Sequence, residues 1–167
     1  KFKPDVIVNF AAQGEGAASW GEDNWRFYET NCVGLIKLIG QLTKRYFMPG
    51  FRDFYLEKFI QIGSSEVYGS VNGPVSERSP TNPTTPYAAS KLAFDHHLVA
   101  MHKVKGFPMN IIRPSNCYAP GQQLHRIIPK ALISGLTGRR LPLHGGGVAQ
   151  KSYLHATDLS RAILVFI

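Results

Sequence analysis

Short apolar runs alternate with helical stripes of apolar residues along the first two thirds of the chain. Residues 5–10 form a run rich in β-branched side chains, and residues 57–62 and 108–114 form two more of strand length. Between these runs, residues 22–45 and 87–104 carry apolar side chains at steps of three and four, as amphipathic helices do. The pattern predicts strand, helix, strand, helix, strand, with the first strand buried on both faces.

This order of elements is typical of an α/β fold, in which parallel strands are joined by right-handed helical crossovers. Further along, the sequence predicts a helix at about 126–136 and a strand running into a turn at 141–147. A last helix is expected over 158–167, with Thr157 or Asp158 near its cap.

Three polar, glycine-containing loops follow the three predicted parallel strands. They read "AAQGEGAAS" after the first strand, "GSSEVYGS" after the second and "PSNCYAPGQQ" after the third. In open α/β sheets, ligands bind at the carboxyl ends of the strands. We therefore expect the functional site where these loops meet.

Composition narrows the class of protein. The 167 residues carry a formal net charge of +8, which suits anionic partners, although a solvated basic surface would explain it equally well. Cys32 and Cys117 sit in apolar patterns, so we expect no metal site and a reducing, cytoplasmic compartment. The chain has neither an apolar run of membrane-spanning length nor the interleaved basic and aromatic residues of nucleic-acid binders.

The stretch "YAASK" places Tyr87 and Lys91 four residues apart, on one face of the predicted helix. An ammonium close to a phenol lowers the pKa of the phenol, so that the tyrosine can act as a base near neutral pH. Ser64 follows the neighbouring strand and could reach the same cleft. The pair alone is a weak signal, since a packed tyrosine and a solvated lysine would leave the same pattern.

Eight stretches in sequence order make the signal specific. They are "DVIVNFAAQ", "FYETNCVG", "SSEVYG", "PYAASK", "RPSNCYAPGQ", "IIPKAL", "LPLHGGG" and "SYLHATDLSRAI". The chain resembles the extended short-chain dehydrogenase/reductases, within the NAD-dependent epimerase/dehydratase family of nucleotide-sugar enzymes. It is similar above all to the dTDP-glucose 4,6-dehydratase group, which are lyases of carbohydrate biosynthesis.

The resemblance implies a partial Rossmann-type, doubly wound parallel sheet, NAD as cofactor and a nucleotide-diphosphate sugar as substrate. Residues 1–115 would form the C-terminal part of the NAD-binding domain. Residues 116–167 would form part of a small sugar-nucleotide-binding lobe, with returning sheet elements. By the same resemblance the full-length protein is expected to be a homodimer.

The resemblance also implies roles for individual residues. Tyr87 and Lys91 match the catalytic pair that also contacts the cofactor, Ser64 matches the hydroxyl that binds the sugar O4, and Glu66 matches the base at C5. Further positions match cofactor contacts, namely Ala11, Ala12, Asn31, Pro114 and Ser115. The positions that match substrate contacts are Ser65, Asn116, Arg126 and Lys151.

Several residues depart from the dehydratase pattern, and two of them bear directly on the chemistry. Ser65 stands where the dehydratases carry an aspartic acid that protonates the leaving water, and a serine lacks that acidity. Lys151 replaces an arginine and loses its bidentate fork toward phosphate. An NAD-dependent nucleotide-sugar 4-epimerase or a decarboxylase, which need no such aspartic acid, therefore remains open.

No G-x-x-G-x-x-G loop occurs in the sequence, although in this family that loop holds the cofactor pyrophosphate. We interpret the chain as an internal fragment of a longer protein, and we expect it to be inactive by itself. Two alternatives remain: a complete short protein with a rebuilt cofactor site, and an inactive truncated homologue that binds no cofactor.

Overall fold

The computed structural model describes residues 4–47 and 56–167. In this part of the chain the strands are β1 (Val6–Asn9), β2 (Lys58–Ile62), β3 (Met109–Ile112), β4 (Asn116–Tyr118) and β5 (Tyr153–His155). The α-helices are α1 (Trp25–Tyr28), α2 (Leu35–Phe47), α3 (Pro86–Lys105), α4 (Ile127–Thr137) and α5 (Ala156–Phe166). The chain divides into two compact units: residues 1–113 with 166–167, and residues 114–165.

The first unit is built on a parallel sheet in the order β1-β2-β3. Val8 pairs with Ile60, and Ile62 pairs with Ile112, so the carboxyl ends of the strands lie along one edge. The parallel α/β fold predicted from the sequence is confirmed. One detail was wrong: Val6–Val8 are only half-buried, because within the described residues β1 has a neighbouring strand on one side only.

The core of this unit lies between the sheet and helices α2 and α3. Phe59 of β2 and Phe107 pack with ring centroids 5.8 Å apart. The cluster of buried apolar side chains consists of Leu35, Ile39, Leu56, Phe59, Phe94, Leu98 and Phe107. Next to it, the buried amide of Asn9 donates to Gln61 Oε1 at 2.7 Å and joins β1 to β2 through side chains. Packing in the core and this hydrogen bond thus fix the relative positions of the carboxyl ends of β1 and β2.

The helix predicted over 22–45 is present but is interrupted. A π-helical stretch, Glu29–Gly34, separates α1 from α2. Insertions of this kind widen one turn of a helix and are frequent at functional sites. The spacing of apolar residues predicts the helix, but it does not indicate the π-helical stretch within it.

Helix α3 has strong signals at both ends, which explains why its prediction is confirmed. The hydroxyl of Thr85 accepts a hydrogen bond from Ala88 N at 3.1 Å, and Pro86 occupies the first turn. Gly106 ends the helix in the left-handed conformation, with φ of 66°. These caps fix where the helix starts and therefore which residues lie at its N-terminal end.

The second unit contains a small parallel pair, β4 with β5, in which Cys117 lies opposite Leu154. Sequence patterns missed both strands because each has only three residues. Helix α4 is confirmed, whereas residues 141–147 contain no strand. Three successive glycines there take φ between 59° and 74°, a conformation incompatible with extended pairing.

Helix α5 begins at Ala156, two residues before the start predicted from the sequence. The backbone N–H of Thr157 donates to His155 Nδ1 at 3.3 Å, so His155 is the residue whose side chain meets the first turn. Asp158 instead lies near Arg161 Nη1, at 3.3 Å, on the exposed side of the helix. The expected division of the chain into a cofactor domain and a sugar-binding lobe stays a prediction.

Candidate active site

Lys91 lies in the interior of the first unit, with 2% of its surface exposed. Its Nζ donates a hydrogen bond of 2.8 Å to the carbonyl of Ile62, the last residue of β2. Burial lowers the pKa of Lys91, and the carboxylate of Asp95 opposes that shift. The alternative of a solvated surface lysine is therefore wrong, and the ammonium stands at the carboxyl edge of the sheet.

Tyr87 occupies the first turn of α3, one turn before Lys91. Its backbone N–H donates to Ser19 Oγ at 3.1 Å, and Ser19 in turn donates to the carbonyl of Gly16 at 2.6 Å. The ring of Tyr87 meets Phe27 edge to face, with centroids 6.4 Å apart. These contacts tie the start of α3 to the first loop and to α1.

Ser64 is buried directly beyond the end of β2. Its Oγ accepts a hydrogen bond from Glu66 N at 3.2 Å and caps a short 3₁₀ helix, Ser65–Tyr68. Accepting this bond leaves the hydroxyl hydrogen available for donation to another group. Since Lys91 holds the carbonyl of Ile62, Lys91 and Ser64 come together at the carboxyl end of one strand.

Glu66 points toward the first loop, as a contact with Gly16 shows. A Cβ placed on Gly16 would stand only 2.9 Å from Glu66 Oε2. The preceding residue, Glu15, has a φ of 77°, which is uncommon for a residue with a side chain. The loop therefore folds closely over the turn that carries Ser65 and Glu66, an approach that no sequence pattern indicated.

Asn31 lies in the π-helical stretch and is completely buried. Its Oδ1 accepts from Gln13 N at 2.7 Å, and its Nδ2 donates to the carbonyl of Gln13 and to Ser90 Oγ, both at 3.0 Å. The side chain thus joins the first loop to α3. Its assignment as a cofactor contact stays a prediction, and the contacts observed here are internal.

Ala11 and Ala12 lie in the loop that follows β1, after Phe10, and are exposed. The backbone N–H of Ala11 donates to Asn9 Oδ1 at 3.2 Å, which turns the chain at the carboxyl edge. The strand that they follow, β1, pairs with β2, whose last carbonyl accepts the hydrogen bond from Lys91. Their assignment as cofactor contacts stays a prediction, and the sequence contains no glycine-rich loop for the pyrophosphate.

The other predicted binding residues lie in the second unit. Asn116 donates through Nδ2 to the carbonyl of Ser152 at 3.2 Å, and the exposed Lys151 immediately precedes Ser152. Arg126 immediately precedes α4. The roles assigned from the resemblance stay predictions for these residues and for the last two of the set, Pro114 and Ser115.

A buried ionic network, which the sequence patterns did not indicate, lies one helical turn beyond Lys91. Asp95, 1% exposed, accepts a hydrogen bond from Arg113 Nε at 2.9 Å. Arg113 Nη1 donates to the hydroxyl of Tyr68 at 2.8 Å, and the guanidinium lies 5.3 Å from the centre of that ring. One available signal was the position of Asp95, one helical turn beyond Lys91 on an otherwise apolar face.

A parallel Rossmann-type sheet with a tyrosine and a buried lysine one turn apart, beside a serine that follows the neighbouring strand, defines the short-chain dehydrogenase/reductase class. Comparison with known families agrees with this class. The chain belongs to the NAD dependent epimerase/dehydratase family, which matches residues 1–167. The family depends on NAD as its cofactor.

Curated relatives within the family include dTDP-glucose 4,6-dehydratases. The enzyme of Xanthomonas campestris pv. campestris strain B100 is 33% identical over 166 residues, which cover 96% of this chain and 46% of that enzyme. The Homo sapiens dTDP-D-glucose 4,6-dehydratase is 32% identical, over 99% of this chain and 45% of the human protein. The chain thus spans about half the length of the curated relatives it matches.

Solved structures give the same fold with two different activities. UDP-glucuronic acid 4-epimerase from Bacillus cereus, in complex with UDP-glucuronic acid and NAD, has a TM-score of 0.84 at 28% identity, covering 96% of this chain and 48% of that one. DesIV, a dTDP-glucose 4,6-dehydratase from Streptomyces venezuelae with NAD bound, has a TM-score of 0.82 at 32% identity, covering 95% and 47%. Among the residues described here, no helix is long and apolar enough to cross a membrane.

Proposed function

We propose that the protein carrying this chain is an NAD-dependent nucleotide-sugar 4,6-dehydratase, which oxidises the sugar at C4 and then eliminates water across C5 and C6. The observation that carries the proposal is the buried Lys91, held at the carboxyl end of β2 one helical turn from Tyr87. The identity to dTDP-glucose 4,6-dehydratases over nearly the whole chain supports this choice of reaction.

In the first step Tyr87 acts as the base. The positive charge of Lys91 favours the phenolate form of Tyr87, which takes the proton from the O4 hydroxyl of the sugar. Ser64 donates its hydroxyl hydrogen to O4 and holds it in place. Bound NAD would supply the redox chemistry, as acceptor of the hydride from C4 and, after the elimination, as donor of a hydride to C6, while C5 takes a proton from water.

In the second step Glu66 removes the proton from C5, which the C4 carbonyl has made acidic. The C6 hydroxyl must then leave as water and needs a proton. Ser65 does not supply one at neutral pH, so Glu66, protonated by the previous step, gives its proton to the leaving oxygen. The carboxylate of Glu66 is restored, and one water has been lost from the sugar.

A 4-epimerase is the second candidate, and two observations favour it. Ser65 stands where a dehydratase carries its acid, and the UDP-glucuronic acid 4-epimerase of Bacillus cereus has a fold match as good as that of DesIV. In this case Glu66 has no elimination to perform, and Tyr87, Lys91 and Ser64 keep the same roles at C4. A decarboxylase is the alternative that the Ser65-Glu66 pair also allows, and an inactive homologue is the alternative that the absence of a glycine-rich loop allows.

Replacement of Tyr87 tests the base. In the full-length protein carrying this chain, Tyr87→Phe should lower kcat about 100-fold or more, the usual scale for loss of a general base. Tyr28→Phe is a matched control, since Tyr28 is 39% exposed on α1. NAD binding measured by fluorescence should survive in both variants. Turnover by Tyr87→Phe close to that of the wild type would refute the assignment.

Product analysis separates the two activities. A dehydratase should convert a dTDP- or UDP-hexose into a product lighter by one water, and Ser65→Asp should raise that yield by supplying the acid. An epimerase should give an isomer of unchanged mass, with or without the substitution. Mass spectrometry of wild type and Ser65→Asp decides, and rapid complete water loss by the wild type would show that Ser65 is no obstacle.

A further inference from the structure

Lys91 and Asp95 form a pair of opposite charges inside the first unit. They are four residues apart on α3, so their side chains leave the same face of the helix one turn apart. Lys91 is 2% exposed and Asp95 1% exposed, so water screens neither charge effectively. Each therefore depends on its neighbours to remain ionised.

The charged neighbours of Asp95 stabilise its carboxylate against the cost of burial. Its Oδ2 accepts the 2.9 Å bond from Arg113 Nε, whereas Oδ1 is buried and has no hydrogen-bond partner among the described residues. Burial raises the pKa of Asp95, and the charge and hydrogen bond of Arg113 oppose that shift, as do Lys91 and His96. Arg113 is itself fixed by Tyr68, to which it donates at 2.8 Å.

A hydrogen bond and the charge of Asp95 stabilise the ammonium of Lys91 against the cost of burial. Burial disfavours its ammonium, the Ile62 carbonyl accepts one of its three hydrogens, and Asp95 is the negative group that acts on it. Tyr87 lies one turn before Lys91 on α3, while Arg113 and His96 add positive charge near Asp95. Without Asp95, a lysine this deeply buried would lose its proton more readily.

We propose that Asp95 is a positioning residue that keeps Lys91 charged, and that it thereby sets the pH range over which Tyr87 acts as a base. Arg113 and Tyr68 hold the carboxylate in place from the end of β3 and from the 3₁₀ helix. The effect on Lys91 concerns the chain itself, and only the effect on Tyr87 rests on the proposed function.

Lysine NMR tests the first part on the 167-residue chain. The ammonium signal of Lys91, assigned by its loss in Lys91→Arg, should show a charged lysine at pH 7.5 in the wild type. In Asp95→Asn the midpoint of its titration should fall by about one pH unit or more, and in Asp95→Glu it should stay near the wild-type value. A neutral Lys91 in the wild type at pH 7.5, or an unchanged midpoint in Asp95→Asn, overturns the proposal.

Asp95→Asn also leaves Arg113 without its ionic partner and could unfold the chain. In that case the coupling can be measured in the wild-type protein. As the pH is lowered and Asp95 takes up a proton, the chemical shift of the Lys91 ammonium should change with the same midpoint as the chemical shift of the Asp95 carboxyl carbon. If the Lys91 signal does not respond to that titration, the two charges are not coupled and the proposal fails.

The pH profile tests the second part in the full-length, NAD-loaded protein. Loss of charge on Lys91 removes the stabilisation of the Tyr87 phenolate, so the acidic limb of kcat/KM in Asp95→Asn should move to higher pH. If the acidic limb moves up by one pH unit, kcat/KM at pH values below its midpoint falls about tenfold. Asp95→Glu should restore the wild-type profile. A uniform loss at every pH, without movement of the limb, would assign Asp95 a purely structural role. If the wild type shows no turnover, the proposed function fails while the NMR result still stands.

Discussion

The absence of a side chain at Gly16 helps to set the position of the Glu66 carboxylate. The absence of a Cβ at residue 16 leaves room for Oε2 of Glu66 at the surface of the first loop, beside the methyl group of Thr85. The backbone of Gly16 lies outside the left-handed region, so the constraint at this position is space rather than φ. A methyl group there would push Glu66 without disturbing the loop conformation.

Gly16→Ala should therefore slow the step that depends on Glu66 more than oxidation at C4. Gly14→Ala is the matched control, since a Cβ on Gly14 meets nothing within 4 Å. Single-turnover kinetics on the full-length protein, following NADH absorbance and loss of water separately, measure both steps. Equal effects on both steps, or equal effects of the two substitutions, would show that Gly16 does not position Glu66.

Gly69 is constrained by space and by backbone conformation together. Its φ is 71°, and a Cβ would collide with the carbonyl oxygen of Asn82. Gly106 has nearly the same φ, 66°, but open space around it. Gly106→Ala should cost about 1–2 kcal/mol of unfolding free energy, the usual left-handed penalty, and Gly69→Ala clearly more. Urea unfolding of the chain measures both, and equal losses would contradict the collision.

At the scale of single residues, several candidate site residues could be predicted from the sequence. Tyr87, Lys91 and Ser64 belong to short patterns whose spacing carries meaning within a predicted strand or helix. Asp95 and Arg113 are far apart in sequence, and their ion pair exists only because α3 packs beside β3. No local pattern joins two such residues, so the network required the structure.

At the scale of elements, the π-helical stretch directs Asn31 toward its partners. The inserted residue shifts the phase of the helix between α1 and α2, and Asn31 within it reaches both Gln13 and Ser90. Apolar periodicity on either side is preserved, which is why the sequence predicted one plain helix. The side-chain amide of Asn31 thus binds both the first loop, at Gln13, and helix α3, at Ser90.

Asn31→Ala should therefore destabilise the first unit strongly. It removes two hydrogen bonds to the backbone of Gln13 and one to the buried hydroxyl of Ser90, and losses of this kind cost about 1–3 kcal/mol. Asn24→Ala is the control, because Asn24 is exposed and its side chain makes no capping bond. Hydrogen exchange at the Gln13 amide should accelerate only in Asn31→Ala. Unchanged exchange there would show that the loop is held by other contacts.

At the scale of the whole molecule, the two units were predicted with unequal success. In the first unit, the strands and long helices carry clear apolar patterns, so the sequence predicts them close to their observed positions. The second unit contains three-residue strands and a glycine turn, whose pairing depends on contacts between β4 and β5 rather than on period. Short elements carry too few residues to reveal a period, so sequence patterns fail there first.

The cofactor prediction belongs to the whole molecule as well. Lys91 lies at the carboxyl end of β2, one helical turn from Tyr87, and the sequence contains no glycine-rich turn that would open a helix toward a pyrophosphate. In dinucleotide-binding folds, a helix N-terminus after such a turn binds the pyrophosphate. The 167-residue chain alone should therefore show no binding of NAD at millimolar concentration, whereas the full-length protein should bind it. Isothermal titration of both with NAD measures this difference, with ADP-ribose as a control that lacks the nicotinamide. Micromolar binding of NAD by the chain alone would show that these residues form a cofactor site of their own and that the missing turn is dispensable.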